Sequence, residues 1–125
     1  MSKLNPDPAP GALERGQQVV LPGDFDLFID IDSEMDYQFL LNRLEDLKTH
    51  KEITITMVGI TESQSGLPHR HVYLRSSQAM SPLARIALQA SLGSDRVREF
   101  LSILRIYKGG PGTTFFENPD WKDPR

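Results

Sequence analysis

The sequence predicts an α+β domain whose strands and helices follow the order β-α-β-β-α-β. Three observations carry that expectation. Apolar residues alternate with period two from Phe25 to Asp32 (FDLFIDID), apolar residues at helical spacing follow at once, and two strand-like runs then flank a Ser/Gly/Pro-containing turn from Glu62 to Pro68.

Phe25, Leu27, Ile29 and Ile31 share one face of the first strand. Ser33 offers an N-cap, with Glu34 and Asp36 placing negative charge in the first helical turn. Tyr37, Leu40, Leu41, Leu44 and Leu47 then define the apolar stripe of a helix ending near His50. Glu52 to Thr61 is rich in β-branched residues and forms the second strand, and His69 to Arg75 (HRHVYLR) forms a hairpin with it. Ser81-Pro82 opens a helix through Leu83, Ile86, Ala87 and Leu92 that stops at Gly93. Ser94 or Asp95 caps a further helix carrying Val97, Phe100, Leu101 and Leu104, so the second helical unit is split in two. Gly109 to Gly112 is a loop and Thr113 to Glu117 a last short strand. This order is that of the ferredoxin-like or RRM-like arrangement, a four-stranded antiparallel sheet with helices on one face and the other face free for a ligand.

Three segments follow. Residues 1–23 read as a flexible N-terminal arm broken by Pro6, Pro8, Pro10, Gly11, Gly16, Pro22 and Gly23, within which Val19, Val20 and Leu21 could pair as a short edge strand. Residues 24–118 form the α/β domain. Residues 119–125 are a tail, with Trp121 a candidate to dock back.

A chain of 125 residues fits one domain with a real core. It has no cysteine, which excludes disulfides and thiolate zinc sites and suits a reducing cytosol. No apolar run approaches the roughly 20 residues of a membrane span, and the polar N-terminus lacks a signal-peptide core, so a cytoplasmic location is expected. A formal net charge of -3 argues against a simple nucleic-acid-coating protein more than against a metal-dependent enzyme. Arg70, Arg75, Arg85, Arg96, Arg98, Arg105 and Lys108 lie in the second half, either as a basic edge for a phosphate backbone or as ordinary solvated helix surface.

Asp30 and Asp32 are two apart on a strand, so both carboxylates point to one face while the apolar residues point to the core. Two such charges repel and raise each other's pKa unless a cation sits between them, which suits Mg²⁺ or Mn²⁺. The alternative is a solvated sheet face on which Asp32 shares capping with Ser33. His69 and His71 also share a face and could contact phosphate, ligate metal or orient substrate, or simply be exposed at a strand start. Arg70 belongs to the other face unless it lies in the turn. Tyr73 shares the face of His71 and could stack on a base. If the first and third strands are adjacent, Asp30, Asp32 and His71 cluster on one sheet face.

LFIDID (Leu27 to Asp32), followed by a helix, a strand and SGLPHRHVYL (Ser65 to Leu74), resembles the catalytic palm of the archaeo-eukaryotic primase superfamily, over roughly residues 24–118. The resemblance implies a minimal primase-polymerase-like domain in DNA replication, with two-metal nucleotidyl transfer or nucleotide and template binding. It gives Asp30 and Asp32 to Mg²⁺ or Mn²⁺. His71 falls to the phosphates of the incoming nucleotide, with Ser65, Gly66, His69 and Arg70 around the same turn. It calls for a third carboxylate, either Asp95 or Glu117. The implied partners are a nucleoside triphosphate, a DNA or RNA template and larger replication proteins. The chain departs from the family in its shortness, in lacking a zinc module and in the long Pro68-His69-Arg70 spacing. A rolling-circle endonuclease is a second possibility, with His69-Arg70-His71 as its histidine strand and Tyr107 as its nucleophile. A third is a non-catalytic nucleic-acid or protein-binding module.

Overall fold

The computed structural model describes residues 7–62 and 66–125. Its elements are α1 (Ala9–Glu14), β1 (Gln18–Val20), β2 (Asp26–Ile31), α2 (Glu34–Leu47), β3 (Ile55–Glu62), β4 (Arg70–Ser76), α3 (Pro82–Ser91), α4 (Arg96–Tyr107) and β5 (Phe115–Glu117). The chain is thus α+β with two small antiparallel sheets, one ordered β2-β4-β3 and the other pairing β1 with β5.

The alternation of β2 works as expected on one side. Leu27, Ile29 and Ile31 are fully buried with Leu40 of α2, Val72 and Leu74 of β4, and Leu92 after α3. The Ser33 hydroxyl caps α2 by accepting from the Asp36 amide at 3.0 Å. Phe25 falls outside the strand and is half-exposed.

The expected four-stranded sheet is not formed, for a reason visible along the outer edge of β2. A fourth strand there would pair with the backbone of Asp26, Phe28 and Asp30. The α3–α4 segment occupies that edge instead. Arg85 Nε donates to the Asp26 carbonyl (2.8 Å), the Phe28 amide donates to Gln89 Oε1 (2.8 Å), and Arg98 Nη2 donates to the Phe28 carbonyl. The Asp30 amide donates to Ser94 Oγ (2.9 Å), and the Asp95 amide donates to the Asp30 carbonyl (2.8 Å). These groups satisfy the strand's outward-facing polar atoms, which therefore cannot recruit another strand.

β5 pairs with β1 instead, with Val20 opposite Phe115 and Gln18 opposite Glu117. The segment read as a flexible arm is thus partly ordered. Pro10 sits in the first turn of α1, where its missing amide costs nothing, and Val20 is buried. This ribbon covers part of the sheet face that was expected to stay free. Phe28, on the aspartate face of β2, packs with Tyr73, Val20 and Phe115 in a second apolar cluster, and Trp121 docks against Tyr73. Trp121 also donates from Nε1 to Thr61 Oγ1 at 3.0 Å, which ties the tail to β3. Tyr73 is fully buried and cannot stack on a base. Among the described residues no helix is long and apolar enough to cross a membrane.

Candidate metal and phosphate cleft

Adjacent β2 and β4 place Asp30 directly opposite His71 in the ladder. Asp32 follows at the end of β2, and Asp95 enters from the start of α4. One carboxylate oxygen from each of Asp30, Asp32 and Asp95 lies within 4.8 Å of the others. Asp95 reaches this position because its amide is bonded to the Asp30 carbonyl, while its Oδ1 caps α4 by accepting from the Val97 amide at 3.0 Å. Asp95 is therefore the cap of α4 and at the same time stands with the other two carboxylates.

Burial pushes the Asp30 carboxyl above the ordinary carboxylate range. Arg98 and His71 oppose the rise, and Asp32 and Asp95 add to it. Asp32 is also pushed up, first by burial and then by Asp95, with His69 opposing. Desolvation outweighs the mutual repulsion that the Asp-x-Asp spacing suggests. Three hard oxygen donors at this separation suit a divalent cation such as Mg²⁺ or Mn²⁺.

Glu117, the other candidate for third carboxylate, does not join this group. It is buried behind His71, whose Nδ1 lies 2.9 Å from Glu117 Oε1, and it accepts a hydrogen bond from the Tyr73 hydroxyl through Oε2. The His71 ring is stacked on Phe115, with centroids 3.9 Å apart, and its Nε2 lies 4.0 Å from Asp30 Oδ1. Glu117 and Phe115 thus orient His71 towards the aspartates. Burial and the Glu117 carboxylate both raise the Tyr73 pKa and keep the phenol protonated as a donor. Tyr73→Phe leaves Glu117 with one donor fewer. It is expected to lower unfolding stability by about 1–3 kcal/mol in urea titration, and an unchanged midpoint would refute this account of the Glu117 support.

The remaining expected residues divide. His69 Nδ1 is 3.4 Å from Asp32 Oδ1 and lines the cleft. Arg70 lies on the helix side, where its Nη2 donates to Glu34 Oε2 at 2.9 Å and its guanidinium covers the Tyr37 ring; it is not a cleft residue. That contact, led by the hydrogen bond from Arg70, holds the Glu34 carboxyl below its usual range. Gly66 makes the turn into β4, accepting from the His69 amide at 2.9 Å, and does not line the cleft. Ser65 lies outside the described residues.

The cleft encloses about 530 Å³ and has a second wall, which takes Arg98 and Arg105 from the basic residues of the second half but was not expected beside the aspartates. Arg98, Leu101 and Arg105 of α4 and Thr114 before β5 line it together with the aspartates. Arg98 is pinned by a single nitrogen. Its Nη2 donates to the Phe28 carbonyl, to Ser94 Oγ (3.1 Å) and to Glu99 Oε2 (2.6 Å), while its buried Nε and Nη1 have no partner in the protein. Arg105 Nε and Thr114 Oγ1 are likewise buried without a partner. Among the described residues, four of the five buried side-chain polar atoms left unpaired belong to this one cleft. Each such donor costs about 1–3 kcal/mol when nothing accepts from it.

Comparison of the chain with protein-family models, with curated proteins and with solved structures finds no match.

Proposed function

We propose that this chain is a minimal primase-polymerase-like domain that carries out divalent-metal-dependent nucleotidyl transfer or binds nucleotide and template for it. The observation that carries this reading is the convergence of Asp30, Asp32 and Asp95 within 4.8 Å beside His71, from separate parts of the chain. The palm-like order supports it: β2, α2, β3 and β4 follow one another with β2 beside β4, and α3, α4 and β5 come after. The substrates are a nucleoside triphosphate and a DNA or RNA template, in the setting of replication.

Asp30, Asp32 and Asp95 would hold Mg²⁺ or Mn²⁺, which when bound supplies Lewis-acid activation and neutralises phosphate charge. The residues of the chain do the positioning. Asp95 is fixed to β2 by its backbone, so the carboxylates keep their spacing. His71 donates a hydrogen bond from Nδ1–H to Glu117 Oε1, which leaves Nε2 facing the cleft. From there Nε2 is placed to meet a phosphate oxygen as a hydrogen-bond donor.

Titration of the chain with Mn²⁺, alone and with a nucleoside triphosphate, is expected to show binding that the nucleotide strengthens. Primer extension is expected to be Mn²⁺-stimulated and to survive Tyr107→Phe, because Tyr107 is 77% exposed and does not line the cleft. His71→Ala is expected to raise KM for the nucleotide together with any loss of kcat, since its phosphate contact exists in the ground state. A covalent nucleic-acid–tyrosine product lost in Tyr107→Phe would favour the rolling-circle chemistry. No metal binding under either condition would reduce the chain to a binding module.

A further inference from the structure

We propose that Arg98, Arg105 and Thr114 form an oxyanion subsite for the polyphosphate of a nucleotide, on the α4–β5 wall of the cleft. This deepens the functional reading above and rests on it for the role of the bound phosphates, while the anion site itself stands on its own observations.

The unpaired donors define the chemistry. Arg98 Nε and Nη1, Arg105 Nε and Thr114 Oγ1 are buried and meet no acceptor in the protein, and the three residues that carry them line one cleft. A guanidinium carries donors and no acceptor, so the complementary group must be an acceptor. Two guanidiniums make it an anion. Arg105 makes no ion pair with a described residue, whereas Arg98 is paired through Nη2 with the buried Glu99, so Arg105 carries the uncompensated positive charge of this wall.

Spacing selects an extended anion. Arg98 and Arg105 are seven residues apart, two helical turns on one face of α4, with Leu101 between them. Their Cα atoms are separated by about 10 Å along the axis, so an anion that meets both guanidiniums must be extended, as a di- or triphosphate is. A single carboxylate would satisfy one arginine and leave the other donors unpaired.

The wall is also preorganised. Arg98 Nη2 is held by Phe28, Ser94 and Glu99, so the guanidinium is fixed in position on the cleft wall before any ligand arrives. Gln89 in turn holds Glu99, donating from Nε2 to Oε1 at 3.1 Å. The aspartates stand in the same cleft, so an anion here is repelled by them when no cation is present and drawn in when one is.

The test separates the two walls. Full-length chain carrying Asp30→Asn and Asp32→Asn is titrated with inorganic pyrophosphate in EDTA by calorimetry. Binding is expected, tighter than in the parent under the same conditions because two negative charges are gone. Adding Arg105→Gln is expected to weaken it about tenfold, and Thr114→Val several-fold. Arg96→Gln, an exposed position outside the cleft, should leave it unchanged. Circular dichroism melts report folding, and Thr114→Val carries the test should Arg105→Gln fail to fold. A nucleoside triphosphate should bind through the same residues, and a single-stranded oligonucleotide without a terminal phosphate should not compete. Pyrophosphate affinity indifferent to both substitutions, or no pyrophosphate binding at all, overturns the subsite. Oligonucleotide competition that depends on Arg105 assigns the wall to a strand backbone and overturns the polyphosphate assignment. A parent chain that fails to bind Mn²⁺ while pyrophosphate still binds overturns the metal reading alone.

Discussion

Asp30→Asn is expected to lower Mn²⁺-dependent nucleotide addition about a thousandfold or more, and to make the metal-free chain more stable at neutral pH. The two effects have one cause. Asp30 is the most enclosed partner of the metal-capable group on β2, and burial pushes its carboxyl up from the ordinary value of 3.8, with Arg98 and His71 opposing only in part. Between the ordinary value and the raised one, the folded chain binds more protons than the unfolded chain. Stability therefore falls as the pH rises through that window, and the deficit persists at neutral pH. Asparagine keeps the shape, removes the ionisation and removes the deficit. It also removes the ligand that makes the charge useful. Urea denaturation without metal, compared between acid and neutral pH, should show the parent losing ground to the variant as pH rises. Added Mn²⁺ should restore the parent and leave the variant unmoved. Nucleotide addition that survives the substitution would refute the assignment of Asp30, even in a chain that proved to be a polymerase.

The local pattern was legible where one residue decides one outcome. Period-two alternation places Leu27, Ile29 and Ile31 inside, Ser33 caps α2, and Asp30 and His71 meet because β2 and β4 are neighbours. The pairing of β5 was not legible. Its alternation puts Phe115 and Glu117 on the same side but does not say which strand lies beside them. The deciding fact lies in α3 and α4, whose Gln89, Ser94 and Arg98 look like helix-surface residues yet close the edge of β2 through its backbone. Phe28 carries a signal of this cover in its own position. It shares the period-two face of Asp26 and Asp30, and a large aromatic on a polar face demands a cover, which the β1–β5 ribbon provides. The arginine wall was hidden for a similar reason. Arg98 and Arg105 count as basic surface until the heptad spacing is combined with the cleft they share with the aspartates.

Gln89→Leu is the substitution expected to damage the fold most, although it exchanges a polar residue in a helix for a good helix former of similar size. Gln89 is fully buried. Its Oε1 accepts from the Phe28 amide at 2.8 Å, and its Nε2 donates to the Glu99 carboxylate and, at 3.1 Å, to Thr113 Oγ1. Leucine leaves a strand amide without an acceptor and takes a donor from a buried carboxylate, which then relies on Arg98. Unpaired buried groups cost about 1–3 kcal/mol each and more when charged, so a loss of about 3–5 kcal/mol is expected from a domain whose whole stability is about 5–15 kcal/mol. Gln89→Glu separates the two halves of the contact. It keeps the acceptor for Phe28 but sets a carboxylate against Glu99, so it should approach the parent in acid and fall away as the pH rises and the pair is forced to ionise. Urea denaturation of the three chains across that range, with hydrogen exchange at the Phe28 amide, reads both effects. A leucine variant within about 1 kcal/mol of the parent would mean that the edge of β2 does not depend on this side chain, and that a strand or solvent can take its place.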